Sequence, residues 1–145
     1  MESFSRNTVK IAIDGDESKV IEFNPNDMLL RNRITEFMVS VQTKQDEMVE
    51  KAKSLETDED PAEGKLPSNI KDVLAFNQEV ADFFIGEIDD IFGTGASAKL
   101  FGERAFDPDL MASFMTFVME RINTVSQSKI EQKLGRPVKA PKAKK

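Results

Sequence analysis

The string IFGTGASAKLFG, residues 91–102, sets Gly93 and Gly95 ahead of Lys99. Glycine amides followed by a lysine are one way a backbone cradles a phosphate. A Walker-type loop spaces them as G-x-x-x-x-G-K-[ST]. Counted from Gly93, the second glycine position is Ala98 and Lys99 is in place, but the hydroxyl position is Leu100, which cannot hold magnesium. The dinucleotide pattern G-x-G-x-x-G fails at the same Ala98. Both motifs also need a preceding strand, whereas FFIGEIDDIF carries helical spacing. We therefore expect no nucleotide and no cofactor here, and a structural duty for the glycines.

Carboxylates are the other residues with chemistry to offer. Glu87 and Asp90 stand at i and i+3 on one helical face while Asp89 points elsewhere, so the three do not converge on a metal. Asp58, Glu59, Asp60 and Glu63 crowd one acidic stretch. They lack the ligand alternation and late Glu of a calcium loop, and read as a solvated loop. The 145 residues contain no Cys and no His. Disulfides, thiolate nucleophiles, Ser/His/Asp and Cys/His mechanisms, and the commonest zinc and iron ligands all fall away. The expectation is no catalytic residue, no metal site and no enzyme.

The formal charge of −6 is unevenly placed. Residues 136–145, RPVKAPKAKK, carry Arg136, Lys139, Lys142, Lys144 and Lys145 and no acid. Residues 1–135 therefore hold 15 basic and 26 acidic side chains, a net of −11. An acidic body of that size repels nucleic acid, so no nucleic-acid partner is expected. The basic end could touch RNA or a partner; we take it as a solvated, disordered tail over 136–145. No apolar run approaches the ~20 residues that span a bilayer, and MESFSRNTVK has no apolar signal region. A soluble cytoplasmic protein without a membrane partner is expected.

The elements that must position these residues follow from periodicity. TVKIAI (8–13) and KVIEF (19–23) alternate and are rich in β-branched residues, with an Asp14-Gly15 turn between them, which predicts a β-hairpin. A lone hairpin is marginal in water, so it must pack on helices or pair with another chain. A helix is expected over roughly 25–55, with Asn24 as N-cap, Pro25 at its first position, and a stripe of Leu30, Ile34, Phe37, Met38, Val41, Met48, Ala52 and Leu55. A loop follows over 57–68. The second helix is expected to start from a Ser68 cap, with Ile70, Val73, Leu74, Asn77, Val80, Ala81, Phe84, Ile88 and Ile91 on one face, widened by Phe76 and Phe83. The third starts from an Asp107 cap with Pro108 in its first turn and ends at Gly135. Its stripe is Leu110, Met111, Phe114, Met115, Val118, Ile122 and Val125; Phe117 and Met119 fall outside it. The fold class is thus α+β, mainly α: an N-terminal β-hairpin, then three main helices, in a single domain over 1–135.

The corner before the third helix has its own expected geometry. Gly93 lies just past a helix end, where a left-handed backbone is needed. Gly95 lets the chain turn again, Ser97 caps a single turn, AKLF, and Gly102 closes it. Phe92 and Phe101 are buried on either side.

The corner string IDDIFGTGASAKLFG resembles a segment that recurs in small proteins of tailed bacteriophages infecting Gram-positive bacteria. The positions that carry the resemblance are Asp89, Asp90, Phe92, Gly93, Gly95, Ser97, Lys99, Leu100, Phe101 and Gly102. The order of elements is similar too: a β segment ending in an Asn/Pro turn, a long charged helix, and a final helix after the corner. The family is that of the siphophage tail assembly chaperones. The resemblance implies a small acidic helical protein of the tail module, which coats the tape measure protein before the tail tube polymerises around it. It would act in the cytoplasm of the infected bacterial host and be absent from the mature virion. The protein partner expected is the tape measure protein, and self-association is a second contact.

Seven Met and eleven Phe with no Tyr or Trp suit that role, because Met-rich faces adapt to varied partners. Most of these side chains are expected to fill the core. Phe117 and Met119 are the candidates for partner contact. The alternative is an acidic helical adaptor or regulatory protein that mimics nucleic acid.

Overall fold

The computed structural model describes residues 1–56 and 64–133, with the side chains of the last helix described to residue 124. The elements are β1 (Val9–Ala12), β2 (Val20–Phe23), α1 (Met28–Ser54), α2 (Ile70–Phe92), α3 (Ala96–Phe101) and α4 (Pro108–Lys133). The architecture is a two-stranded antiparallel hairpin followed by three main helices and one short one. The helices hold more than half of the chain. No described helix is long and apolar enough to cross a membrane.

The chain divides into two compact units. Among the described residues, the first comprises 1–28 and 107–133, and the second 29–56 and 64–106. The expected basic tail and the acidic residues 58–60 and 63 lie outside the described residues.

In the first unit, Val9 pairs with Phe23, Lys10 with Glu22, Ile11 with Ile21, and Ala12 with Val20. The Asp-Gly pair makes the turn as its sequence predicts. Asp14 and Gly15 both take positive φ, 57° and 72°, and the Asp16 N–H donates to the Ile13 carbonyl at 2.9 Å. The Asp16 carboxylate then accepts both the N–H and the hydroxyl of Ser18, which completes the loop and holds that carboxyl below its ordinary range. Ile21 and Phe23 are buried, as are Phe114, Met115, Val118 and Ile122 on α4. Leu110, expected in that stripe, is exposed. The Asp107 carboxylate accepts the N–H groups of Asp109 and Leu110, both at 3.1 Å, so the predicted cap of α4 is present.

The predicted start of α1 is corrected. Asn24 does not cap the helix: its side chain accepts the Asn26 N–H and its carbonyl the Asp27 N–H, each at 2.9 Å. This local Asn-Pro turn consumes the acceptor, so the helix begins at Met28 rather than at Pro25.

In the second unit, α1 and α2 run antiparallel. Lys51 bonds Glu79, the Lys44 ammonium lies over the Phe83 ring, Phe37 meets Phe84 edge-on, and Arg33 reaches the Ile91 carbonyl. The second cap is corrected as well. Asn69, not Ser68, precedes α2, and its side chain makes no cap bond. Its amide donates instead to the Leu55 carbonyl, tying the start of α2 to the end of α1. Leu30, Ile34, Phe37, Ile88, Ile91, Ala96 and Leu100 are buried. Met38 and Leu74, assigned to core stripes by spacing, are exposed: a two-helix pair covers only part of each wide apolar face.

Candidate functional site

The corner at residues 89–106 is where the sequence motif becomes geometry. α2 ends because Gly93 takes φ 108° and ψ 153°, a region that only glycine occupies without strain. Its φ is positive as expected, but its ψ is not that of a left-handed helix; Gly95, at φ 92° and ψ −7°, supplies the left-handed residue. Gly102 ends α3 at φ 95° and ψ 160°. The two helix ends are closed alike: the Gly93 N–H donates to the Asp89 carbonyl at 2.8 Å, and the Gly102 N–H to the Ala98 carbonyl at 2.9 Å.

Ser97 does not cap α3. It lies inside the helix and is buried, and Gly95 occupies the cap position without a side chain to offer. The acceptor comes from α2: the Asp89 carboxylate receives the Ser97 N–H at 2.8 Å. A negative charge at a helix N-terminus is favourable both as a bond and against the helix dipole. Arg33 of α1 completes the brace by donating its Nε–H to the Ile91 carbonyl at 3.2 Å, one of the last carbonyls of α2.

An aromatic chain runs beneath the corner. Phe83 meets Phe84 edge-on at 5.0 Å, Phe84 stacks on Phe106 at 5.4 Å, and Phe101 meets Phe106 edge-on at 5.2 Å. Phe92 and Phe101 are half-buried rather than fully enclosed, and Lys99 is exposed. Spacing did not single out Arg33 or Phe106. Phe106 had a signal, since an apolar residue just before an N-cap is often a packing residue; here its ring packs on Phe84 and Phe101.

Three carboxylates lie near the α2 end. Glu87 is pushed up from its ordinary range by burial, and further by Asp90 and Glu36. No group of three acids or more among the described residues is placed to hold a metal ion. The chain before Gly93 is helix, so the corner has the wrong context for either phosphate loop.

The two expected contact residues belong to the first unit, and the corner to the second. Phe117 is exposed, with the Arg121 guanidinium 5.1 Å from its ring centre. Met119 is half-buried. At about 100° per residue the two point to opposite flanks of α4, so they do not form one patch. Leu110 shares the flank of Phe117 and is also exposed.

A family model described as a family of unknown function, DUF6673, matches residues 17–145, and the chain belongs to that family. No curated protein and no solved structure matches it.

Proposed function

We propose that this member of the DUF6673 family is a tail assembly chaperone, which binds the tape measure protein of a siphophage and keeps it soluble until the tail tube polymerises. The observation that carries the proposal lies on α1. Met28, Leu29, Met38 and Val39, all in its first half, are 76%, 62%, 43% and 56% exposed. At about 100° per residue Met28 and Val39 share one solvated face of α1 and Leu29 and Met38 lie to its two sides, so exposed apolar side chains spread over the open half of this helix, as on a surface awaiting a partner. The corner supports the same reading by contrast. Asp89, Ser97, Arg33 and the three glycines are engaged in holding helices together, which is a scaffold's work.

A long helical partner with repeated apolar faces would dock on such side chains, while the acidic exterior keeps the complex in solution. The test is co-expression with a tape measure protein from the same genome. Alone, that partner should aggregate; together, the two should co-purify, and moderate salt should not separate them, because apolar contacts are not screened. Failure to form a complex or to gain solubility overturns the proposal. One observation would then favour the acidic adaptor: α2 carries Asp72, Glu79, Asp82, Glu87, Asp89 and Asp90 against Lys71 alone.

A further inference from the structure

The hairpin is finished on one strand and unfinished on the other. On β2, Ile21 and Phe23 are buried. Their neighbours on the same face, Val9 and Ile11 of β1 and Ile13 beyond it, remain half-exposed. The Ile13 N–H donates to the Lys19 carbonyl at 3.0 Å, which fixes the phase of the ladder. By alternation, Val9, Ile11 and Ile13 aim their backbone groups at β2, while Lys10 and Ala12 aim theirs outward. Those outward groups meet no partner among the described residues. An open edge of this kind accepts another strand.

We propose that the occupant is β1 of a second copy, paired antiparallel about a two-fold axis at Ile11. This goes beyond the chaperone reading and does not rest on it. In that register Ile11 faces its own counterpart, Lys10 faces Ala12 of the other copy, and Val9 faces Ile13. The outward groups of Lys10 and Ala12 then satisfy one another. The half-exposed Val9, Ile11 and Ile13 of both copies join into one apolar face continuous with Ile21 and Phe23. A register centred on Lys10 would set two ammonium groups directly opposite, which is unfavourable; beside the small Ala12, Lys10 has neither a like charge nor a clash. The result is a four-stranded sheet, which is stable where two strands alone are marginal.

The chain has no cysteine, so one introduced thiol reports alone. Residues facing across a pair that exchanges no hydrogen bonds have Cα atoms about 4.5 Å apart, within disulfide reach. Ile11→Cys should give a covalent dimer under mild oxidation, while the exposed Thr35→Cys on α1 should give no covalent cross-link. The unmodified protein should show a mass that rises to the dimer with concentration. Lys10→Pro removes an outward N–H, so it should abolish that rise, while its helical circular dichroism and melting match those of the parent at dilutions where the parent is monomeric. A monomer at every concentration, or equal cross-linking of the two cysteine variants, overturns the proposal. So does a monomer whose Lys10→Pro variant no longer captures a partner chain, because the edge then belongs to that partner.

Discussion

The Asp89 carboxylate accepts the Ser97 N–H at 2.8 Å, joining the last turn of α2 to the first turn of α3 across Gly93 and Gly95. It stands in for a cap side chain that Gly95 cannot provide. Removing it by Asp89→Ala should cost about 1 kcal/mol, as loss of an N-cap does, and Asp89→Asn should restore part of that. Urea unfolding of the three proteins decides the matter; equal midpoints would show that the bond contributes nothing.

Gly93 and Gly86 should respond in opposite directions. Neither would bring an added Cβ within 4 Å of other atoms, so sterics with neighbours do not enter. Gly93 has φ 108°, and Gly93→Val should destabilise the fold by about 1 kcal/mol or more through backbone strain. Gly86 lies inside α2 on an exposed position, and Gly86→Ala should stabilise by about 0.5–1 kcal/mol. Thermal melting of both variants is the measurement, and a shift of the same sign in each would contradict it.

The ring of Phe106 is stacked at 2° on Phe84 and edge-on to Phe101. Phe106→Leu keeps apolar bulk and loses the ring geometry. We expect a loss of about 1 kcal/mol in chemical denaturation, the scale of an aromatic pair beyond its buried area. A variant as stable as the parent would reduce these rings to filler.

Glu87 gives a pH signature. Its folded carboxyl is raised by burial, and then by Asp90 and Glu36, so folding favours its protonated form. This contribution is fully present below the unfolded carboxylate range and is lost as pH rises through the raised folded value. At neutral pH the ionised group opposes folding, so Glu87→Gln should melt higher than the parent there. The difference should shrink as pH falls toward the ordinary carboxylate range. A variant that melts lower at neutral pH would falsify the assignment.

For the partner surface, Val39→Glu should weaken capture of the tape measure protein several-fold while leaving melting within about 0.5 kcal/mol of the parent, since the side chain is solvated. Phe117→Glu tests the α4 flank in the same way. Met119→Glu is a poorer probe, because a half-buried position mixes stability with contact. Unchanged capture in both Val39 and Phe117 variants would move the contact to another face.

What the sequence by itself determined lies within a few residues along the chain. The Asp14-Gly15 turn, the alternation of β1 and β2, the Asp107 cap with Pro108, and the positive φ of Gly93 each depend on neighbours within one turn. Local sterics and local hydrogen bonds therefore settle them. The failure at Asn24 is of the same local kind, since its side chain is taken by the Asn26 N–H within its own turn, whereas at α2 the residue before the helix, Asn69, turns its side chain to the distant Leu55 carbonyl. The tertiary structure alone decided the rest. Asp89 finds Ser97 eight residues away, Arg33 finds Ile91 and Phe84 finds Phe106 only once the helices have packed. Periodicity marks which face of a helix is apolar but not how much of it a neighbour covers. For that reason Met38 and Leu74, both on stripes that spacing marks as apolar, stand in solvent.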